Sequence, residues 1–284
     1  LGVEPTDKAN LANSNGVNSI QKFFSEKTVD DILLNYPRAD IITAANVFAH
    51  ITNIHDVVKG VKKLMSDNGV FISENHYLLD LIKTLQYDTI YHEHLRYYSL
   101  HSLKNLFELH DLEIFHVERI PTHGGSIRVY ANKKGQRKIK TSVKQLFDEE
   151  IDAGLNKIET YKNFALKSMQ SKLDLLYILK DLKSEGNTIY GISAPSRSST
   201  LISYTGIDHK IMNCILEIKG SHKIGKYMPG TLIPVLDEKK LYEDQPEYVL
   251  ILAWHIADNL MKILKRNGYK GKFIIPLPKV KIIK

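Results

Sequence analysis

Asp40-Ile-Ile-Thr-Ala-Ala-Asn-Val-Phe48 is an apolar run of strand length, and Val70-Phe-Ile-Ser-Glu74 is a second one. Between them, residues 54–65 carry apolar side chains at helical spacing, and Asn68-Gly69 ends the predicted helix. Strands that alternate with helices at this interval are typical of a parallel sheet covered by helices. This stretch therefore predicts an α/β fold.

The pattern changes after a further predicted helix at residues 99–110. Residues 112–120 and 126–132 are two consecutive strand-like runs, separated only by Pro121-Thr-His-Gly-Gly125. Such spacing predicts an antiparallel hairpin that closes the first domain. We place that domain at residues 1–140.

Two further regions complete the predicted organisation. Residues 141–185 have apolar side chains at intervals of three and four, which predicts a helix or helical pair as a connector. In residues 186–284 strands and helices alternate again, which indicates a second, smaller α/β domain.

Composition narrows the classes of protein to consider. The chain has 284 residues, of which 43% are hydrophobic, enough for two cores, and its net charge is +7. Its basic runs lack interleaved aromatic residues, which favours a solvated surface over nucleic-acid binding. No apolar run reaches the roughly 20 residues of a membrane span. Cys214, the single cysteine, excludes an internal disulfide, so we expect a cytoplasmic protein and leave its oligomeric state open.

The chemistry-bearing stretch is Gln86-Tyr-Asp-Thr-Ile-Tyr-His-Glu-His-Leu-Arg-Tyr-Tyr-Ser99. An imidazole titrates near neutral pH, so it can take a proton from a carbon acid and return it. An adjacent carboxylate can fix the tautomer of the ring and raise its basicity. A structural role and a catalytic role fit this stretch about equally well.

Other polar residues follow the predicted strands of the first domain. In open parallel sheets, ligands bind beyond the carboxyl ends of the strands. Glu4 follows the first strand, where a carboxylate can accept hydrogen bonds from ribose hydroxyls. Asn46 and His50 follow the second strand, and Glu74-Asn-His76 ends the third. We expect these loops to form one cleft.

Two loops of the second domain have features of a phosphate site. Gly191-Ile-Ser-Ala-Pro-Ser-Arg-Ser-Ser-Thr200 leads from a strand into a helix, whose free backbone N–H groups and dipole favour phosphate. His222-Lys-Ile-Gly-Lys-Tyr-Met-Pro-Gly230 adds basic groups after the next strand. In the first domain, Arg128 follows the hairpin glycines and can bind a carboxylate or phosphate with two hydrogen bonds. These loops fit a diphosphate-bearing substrate.

Taken together, the motifs resemble a known family, the class I S-adenosylmethionine-dependent C-methyltransferases that act on nucleotide-linked keto-sugars. The motifs that carry the resemblance are Gly2-Val-Glu-Pro5, Asn46-Val-Phe-Ala-His50, Tyr87-Asp-Thr-Ile-Tyr-His-Glu-His94, His123-Gly-Gly-Ser-Ile-Arg128, Ser193-Ala-Pro195 and Gly225-Lys-Tyr-Met-Pro-Gly230. The resemblance implies a class I methyltransferase Rossmann-like sheet with a terminal antiparallel hairpin, followed by a C-terminal Rossmann-like domain that helps to hold the sugar nucleotide.

The resemblance also implies roles for individual residues. His94 would be the general base, and Tyr91, Glu93 and His50 would orient it or stabilise an enolate. The methyl donor, S-adenosyl-L-methionine, would bind at Gly2, Glu4, Pro5 and Asn46. The implied substrate-binding residues are Ser126, Arg128, Ser193, Pro195, Ser196, Arg197, Lys226 and Tyr227. Family members carry a glycine-rich loop ahead of the Glu4 position and a small N-terminal zinc domain built on cysteines, and neither is found in this sequence.

Three other interpretations of the sequence remain as alternatives. A nicotinamide-dependent oxidoreductase or epimerase of nucleotide sugars would use the Tyr and His residues as acid and base, but no Gly-x-Gly-x-x-Gly motif follows a predicted strand. A metal site at His92, Glu93, His94 and His50 lacks the His-Glu-x-x-His pattern, so we predict no metal. The third is a catalytically inactive fragment that binds sugar nucleotides.

Overall fold

The computed structural model describes all 284 residues, and the chain divides into two compact units. Unit 1 comprises residues 1–79 and 95–156, and unit 2 comprises residues 80–94 and 157–284. This division differs from the predicted boundaries in two respects. Residues 80–94, which contain most of the Tyr and His run, belong to unit 2, and the predicted connector at 141–185 is split between the units.

Unit 1 is built from strands and helices in alternation. Its strands are β1 (Gly2–Val3), β2 (Ser19–Ile20), β3 (Ala39–Ala45), β4 (Met65–His76), β5 (Leu112–Ile120) and β6 (Ser126–Lys133). The helices are α1 (Lys8–Ser14), α2 (Glu26–Leu33), α3 (Ile54–Leu64), α4 (Leu78–Lys83), which runs across the boundary at residue 79, α5 (Leu100–Glu108) and α6 (Thr141–Asp152).

These strands form two sheets. β1 pairs in parallel with β2, and the second sheet has the order β3-β4-β6-β5. β3 and β4 are parallel, whereas β6 is antiparallel to both β4 and β5. The predicted parallel strands and the terminal antiparallel hairpin are therefore confirmed.

Local sequence explains why α2 and α3 begin where they do and pack closely. The Ser25 side chain accepts a hydrogen bond from the backbone N–H of Thr28, and the Asn53 side chain accepts one from Asp56. A Cβ atom on Gly60 would lie 3.0 Å from the Phe24 ring and 3.2 Å from backbone of Ser25. The glycine in α3 thus allows the close approach of the segment that opens α2.

β3 is the edge strand of the four-stranded sheet, and its other side is not paired. Ile41, in the middle of this strand, is 67% exposed. A cavity of about 580 Å³ lies beside β3 and reaches β1, with Val3, Phe24 and Phe48 among the residues in its wall. Strands of both sheets of unit 1 therefore border the cavity.

Unit 2 contains a six-stranded sheet and four complete helices. Its strands are β7 (Ile189–Ile192), β8 (Cys214–Glu217), β9 (Val235–Asp237), β10 (Tyr248–Ile251), β11 (Lys272–Ile275) and β12 (Lys281–Ile283). The helices are α7 (Ile158–Ser184), α8 (Ser196–Thr205), α9 (Lys239–Asp244) and α10 (Ala257–Arg266). None of the helices in the chain is long and apolar enough to cross a membrane.

The order of this sheet marks a place for a ligand. The strands run β12-β11-β10-β7-β8-β9, and all neighbours are parallel except β11 and β12. The chain moves outward from β7 to β9 and then returns to the other side of β7 with β10. Ligands of open α/β sheets bind beyond the carboxyl ends of strands at such a reversal. The loops after β7 and β10 are therefore the relevant ones.

Candidate active site

His94 has its two ring nitrogens in different environments. Nδ1 lies 2.9 Å from the backbone carbonyl oxygen of Thr89, which can only accept a hydrogen bond. Nδ1 therefore carries the hydrogen, and in the neutral ring Nε2 has the free electron pair. The hydroxyl of Tyr91 lies 3.0 Å from this Nε2. The local fold thus selects the tautomer in which Nε2 is the basic atom.

Tyr91 is a hydrogen-bond donor to that atom. Burial, and after it the nearby carboxylate of Glu93, raises the pKa of Tyr91, so its phenol is protonated at neutral pH. The rings of Tyr91 and His94 are 4.2 Å apart between centroids. A basic nitrogen beside a phenolic O–H is the pair of groups that enolate formation requires, because one removes a proton and the other stabilises the oxyanion.

The neighbours of His94 in sequence are more exposed than His94 itself. Glu93 and His92 are exposed, and the atom that orients Nδ1 of His94 is the carbonyl oxygen of Thr89. A backbone carbonyl thus holds Nδ1 of His94, and the orienting role of the Glu93 carboxylate stays a prediction. No signal in the sequence distinguishes these two possibilities, because any residue type supplies a carbonyl.

Arg197 is placed away from the surface. It is 7% exposed, and its guanidinium donates hydrogen bonds to the carboxylate of Asp88 and to the side chain of Gln86. Its predicted contact with the substrate is not favoured by this geometry, because these N–H groups are directed at the interior of unit 2. Asp88 was not among the predicted site residues, and it is fully buried.

The other predicted substrate-binding residues of unit 2 follow β7 and β8. Ser193 has φ +67°, and Pro195 and Ser196 begin α8. The next residue after Ser193, Ala194, donates its backbone N–H to Glu217 at 2.7 Å, and its carbonyl accepts from Nζ of Lys223 at 2.6 Å. Glu217, at the end of β8, was missed by the sequence analysis. Lys226 and Tyr227 lie in the loop before β9, with Tyr227 exposed.

Glu4 immediately follows β1, as predicted. Its carboxylate accepts hydrogen bonds from the hydroxyl of Thr6 at 2.6 Å and from the Thr6 backbone N–H at 2.9 Å, and both lower the pKa of Glu4. An ionised carboxylate at a strand end fits the two hydroxyls of a ribose. Pro5 directly follows it, and a Cβ atom on Gly2 would lie only 2.6 Å from Oγ of Ser19. Gly2 therefore permits the pairing of β1 with β2.

Asn46 and Arg128 meet at one carboxylate of unit 1. The side-chain amide of Asn46 donates to Glu74 at 3.4 Å, and Arg128 forms an ion pair with the same side chain at 3.0 Å. Ser126 is buried at the start of β6, whereas His50 ends a short 3₁₀ turn, Phe48–His50, beyond β3. The structure thus brings together residues that lie 82 positions apart, although the sequence did not indicate that Glu74 links them.

The cavity beside β3 lies next to the predicted donor-binding residues. Val3 and Ala45 line it, and they immediately precede Glu4 and Asn46. Glu4 and Asn46 are therefore next in sequence to residues of the cavity wall, and clefts of this size are typical of small-molecule sites. No group of three or more His, Cys, Asp or Glu side chains is arranged to hold a metal ion.

The α/β fold of unit 1, together with the family matches of the chain, identifies a methyltransferase that uses S-adenosylmethionine. Residues 2–117 match the family profile described as "Methyltransferase domain", and residues 121–278 match "C-methyltransferase C-terminal domain". C-methyltransferase NovU of Streptomyces niveus is 33% identical over 288 residues, which cover 100% of this chain and 68% of NovU. The chain therefore belongs to the C-methyltransferase family.

Solved structures show a slight likeness. An S-adenosylmethionine-dependent methyltransferase from Clostridium acetobutylicum is 14% identical with a TM-score of 0.34, over 47% of this chain and 74% of that one. An O-methyltransferase of Brevibacillus brevis, in complex with S-adenosyl-L-homocysteine, is 11% identical with a TM-score of 0.33, over 54% of this chain and 69% of that one. Likenesses of this degree do not bear on the substrate.

Proposed function

We propose that this C-methyltransferase acts on a nucleotide-linked keto-sugar and that His94 removes the proton from the carbon next to the ketone. The observation that carries the proposal is the arrangement of His94, with Nδ1 on the Thr89 carbonyl and Nε2 facing the Tyr91 hydroxyl. Nε2 accepts the proton, and the Tyr91 hydroxyl donates to the enolate oxygen once the substrate is bound. The enolate carbon is then the nucleophile for methylation.

The remaining predicted residues keep their roles in this proposal. Glu4 binds the ribose of the methyl donor, with Gly2, Pro5 and Asn46 beside it, and the donor supplies an electrophilic methyl group when bound. Glu93 assists the base, and His50, in unit 1, stays a predicted catalytic residue. The proposed substrate-binding residues are Ser126 and Arg128 in unit 1, and Ser193, Pro195, Ser196, Lys226 and Tyr227 in unit 2.

Two properties of unit 2 support a sugar nucleotide as the substrate. The loop after β7 lies where the strand order reverses, and Ser193 and Ser196 provide hydroxyls at the N-terminus of α8. Lys226 in the loop before β9 adds a positive charge. A diphosphate group needs such hydrogen-bond donors together with positive charge.

Proton abstraction can be tested apart from methyl transfer. A dTDP-linked keto-deoxysugar is incubated in D2O with the protein and S-adenosylhomocysteine, and the proton signal at the carbon next to the ketone is followed by NMR. We expect exchange with the wild type and with His92→Ala, whose altered side chain is exposed, and none above background with His94→Ala. Equal exchange by folded His94→Ala would reject His94 as the base.

Ligand binding provides an independent measurement. Calorimetric titrations with dTDP and with S-adenosylhomocysteine test the substrate and donor residues separately, and we expect Glu4→Gln to weaken only the second. A folded chain that binds neither compound and neither exchanges nor methylates the keto-sugar would overturn the proposed function.

A further inference from the structure

The most elaborate polar cluster in unit 2 surrounds the carboxylate of Asp88. This side chain is fully buried and accepts three hydrogen bonds. Nε and Nη2 of Arg197 donate to its two oxygens at 2.8 and 2.9 Å, and Nε1 of Trp254 donates at 2.7 Å. The two bonds from Arg197 form the bidentate arrangement that fixes both distance and orientation. Asp88 is therefore held in one position.

The donors follow two neighbouring central strands of unit 2. Arg197 is in the first turn of α8, directly after β7, and Trp254 follows β10, the strand beside β7. The guanidinium also lies over the indole ring, with 4.9 Å between the Arg197 Cζ and the ring centroid. The ends of two central strands thus determine where Asp88 lies.

Arg197 has two additional partners that complete the cluster. Nη2 donates to the side-chain oxygen of Gln86 at 3.2 Å, and Nη1 lies 3.0 Å from Nδ1 of His255. A guanidinium only donates hydrogen bonds, so Nδ1 of His255 is the acceptor and this ring is neutral. A buried charged group is costly unless it is paired and hydrogen-bonded. Because the charged groups of Arg197 and Asp88 are both paired and hydrogen-bonded, we expect the cluster to have one stable arrangement.

The cluster is one residue away from the atom that orients the proposed base. Asp88 is the middle residue of the 3₁₀ turn Tyr87–Thr89, and the Thr89 hydroxyl and backbone N–H both donate to the carbonyl of Gln86, at 2.8 and 3.1 Å. The Thr89 carbonyl accepts from Nδ1 of His94 at 2.9 Å. A rotation of this turn would therefore move the acceptor on which the tautomer of His94 depends.

We propose that Asp88 is a positioning residue for the methyl-transfer reaction: clamped by Arg197 and Trp254, it holds the Thr89 carbonyl on Nδ1 of His94 and so keeps Nε2 as the basic atom. This inference rests on the proposed role of His94 as the base. It also gives the buried Arg197 a function, which is to hold Asp88 in place.

Nitrogen NMR of the imidazole rings tests the inference without substrate. In protein labelled with 15N-histidine, the signals of His94 are assigned by their loss in His94→Ala, and their chemical shifts report which nitrogen carries the hydrogen. We expect the Nδ1–H form in the wild type and a mixture of both tautomers in Asp88→Asn. Asp244→Asn is the matched control. Asp244 is also a carboxylate of unit 2 with hydrogen-bonded partners, but these are Tyr190 and Lys240 and not Arg197. We expect it to keep the wild-type signals.

Trp254→Phe provides the second variant, since it removes one hydrogen bond to Asp88 and retains the pair with Arg197. We expect a smaller change of the His94 signals than in Asp88→Asn, in the same direction. If Asp88→Asn does not fold, Trp254→Phe alone decides. Wild-type His94 signals in every folded variant, or a wild type without the Nδ1–H form, would overturn the inference.

Kinetics separate this inference from the proposed function. With an active wild type, we expect Asp88→Asn to lower kcat by roughly 10- to 100-fold, since small misplacements of a catalytic group cost about that much, while the KM for the methyl donor stays within about twofold. If the folded wild type binds neither dTDP nor S-adenosylhomocysteine and neither exchanges nor methylates the keto-sugar, the proposed function fails, but the NMR result still decides whether Asp88 positions His94. A folded Asp88→Asn variant with wild-type kcat would contradict the inference.

Discussion

The hydroxyl of Tyr91 lies 3.0 Å from Nε2 of His94, on the opposite side of the ring from the nitrogen that contacts the Thr89 carbonyl. This relationship gives the two ring nitrogens different partners, a carbonyl oxygen at Nδ1 and a hydroxyl at Nε2. It also separates His94 from His92, which precedes it by two residues and has an exposed side chain.

Replacement of His94 tests the proposed base directly. We expect His94→Ala to lower kcat by roughly 10² to 10⁴, which corresponds to about 3–5 kcal/mol of activation free energy, because a general base contributes in that range. His92→Ala is the matched control and should keep kcat within about twofold. Steady-state kinetics with S-adenosylmethionine and the keto-sugar measure both, and unchanged kcat in folded His94→Ala would contradict the assignment.

Removal of the Tyr91 hydroxyl should reduce the rate without changing the shape of its pH dependence. Burial raises the pKa of Tyr91, so the phenol is protonated throughout the range from about pH 6 to pH 9 and does not itself titrate there. We expect Tyr91→Phe to lower kcat by roughly 100- to 1000-fold, the range for loss of an oxyanion donor. Tyr177→Phe, on the exposed face of α7, is the control. If kcat of the wild type shows a titration within this range that is missing from the pH profile of Tyr91→Phe, Tyr91 itself ionises.

Glu150 should be important for the stability of unit 1. It is 3% exposed, and its carboxylate accepts hydrogen bonds from the Tyr77 hydroxyl at 2.9 Å and from the backbone N–H groups of Leu100 and His101 at the start of α5, at 2.5 and 3.1 Å. Burial, and then the charge of Glu150, raises the pKa of Tyr77 and keeps its hydroxyl a donor. Glu150→Gln brings an N–H group towards these donors, and we expect a loss of roughly 1–3 kcal/mol in the free energy of unfolding.

Two spectroscopic signals distinguish the effect on each unit. The single tryptophan, Trp254, is in unit 2, so its fluorescence follows that unit, whereas far-ultraviolet circular dichroism follows both. In urea we expect Glu150→Gln to shift the dichroism transition. Glu149→Gln, which alters the partly exposed ion pair with Arg119, should cost less than about 1 kcal/mol. Equal costs for the two variants would refute the special role of Glu150.

Asp244 should give unit 2 a pH-dependent contribution to stability. Hydrogen bonds from Lys240 and then from Tyr190 lower the pKa of Asp244 in the folded protein. A lowered folded-state pKa means that the stabilisation is complete above the unfolded value of about 3.9 and is lost as the pH falls through the folded value. Asp244→Asn should therefore be less stable than the wild type at pH 7, and the two should converge below about pH 4.

The urea midpoint of Trp254 fluorescence, measured at several pH values, checks this prediction. Asp174→Asn is the control, because this partly exposed residue of α7 has a hydrogen bond from Gln170 and no ion pair. A difference between Asp244→Asn and the wild type that stays constant down to pH 3 would contradict the expected linkage.

Much of the fold follows from patterns within short stretches of sequence. β3, α3 and β4 were predicted because apolar spacing identifies each of them locally. The two-residue strands β1 and β2 are too short for any such pattern, although the end of β1 was recognised from Glu4 and its neighbours. α2 was missed even though Ser25 caps it, because its polar residues obscure the apolar stripe of Val29 and Ile32.

The candidate site could likewise be predicted only where its residues lie close together in the sequence. The Tyr and His run was recognised because the residues that meet there are three positions apart in the sequence. The clamp on Asp88 was not predicted, because Arg197 lies 109 residues further along the chain and Trp254 lies 166 further. Glu150 likewise has no local signal, since its partners at the start of α5 lie about 50 residues away. Such contacts depend on the tertiary fold, which helical or strand periodicity does not encode.

The position of β3 at the edge of its sheet has a consequence for backbone dynamics. In a parallel strand, successive N–H groups point to opposite sides, so an edge strand hydrogen-bonds only alternate amides to its neighbour. β4 has β3 on one side and β6 on the other, whereas β3 has β4 alone. Hydrogen–deuterium exchange along Ala39–Ala45 should therefore alternate between slow and fast residues, while the paired part of β4 should be protected throughout.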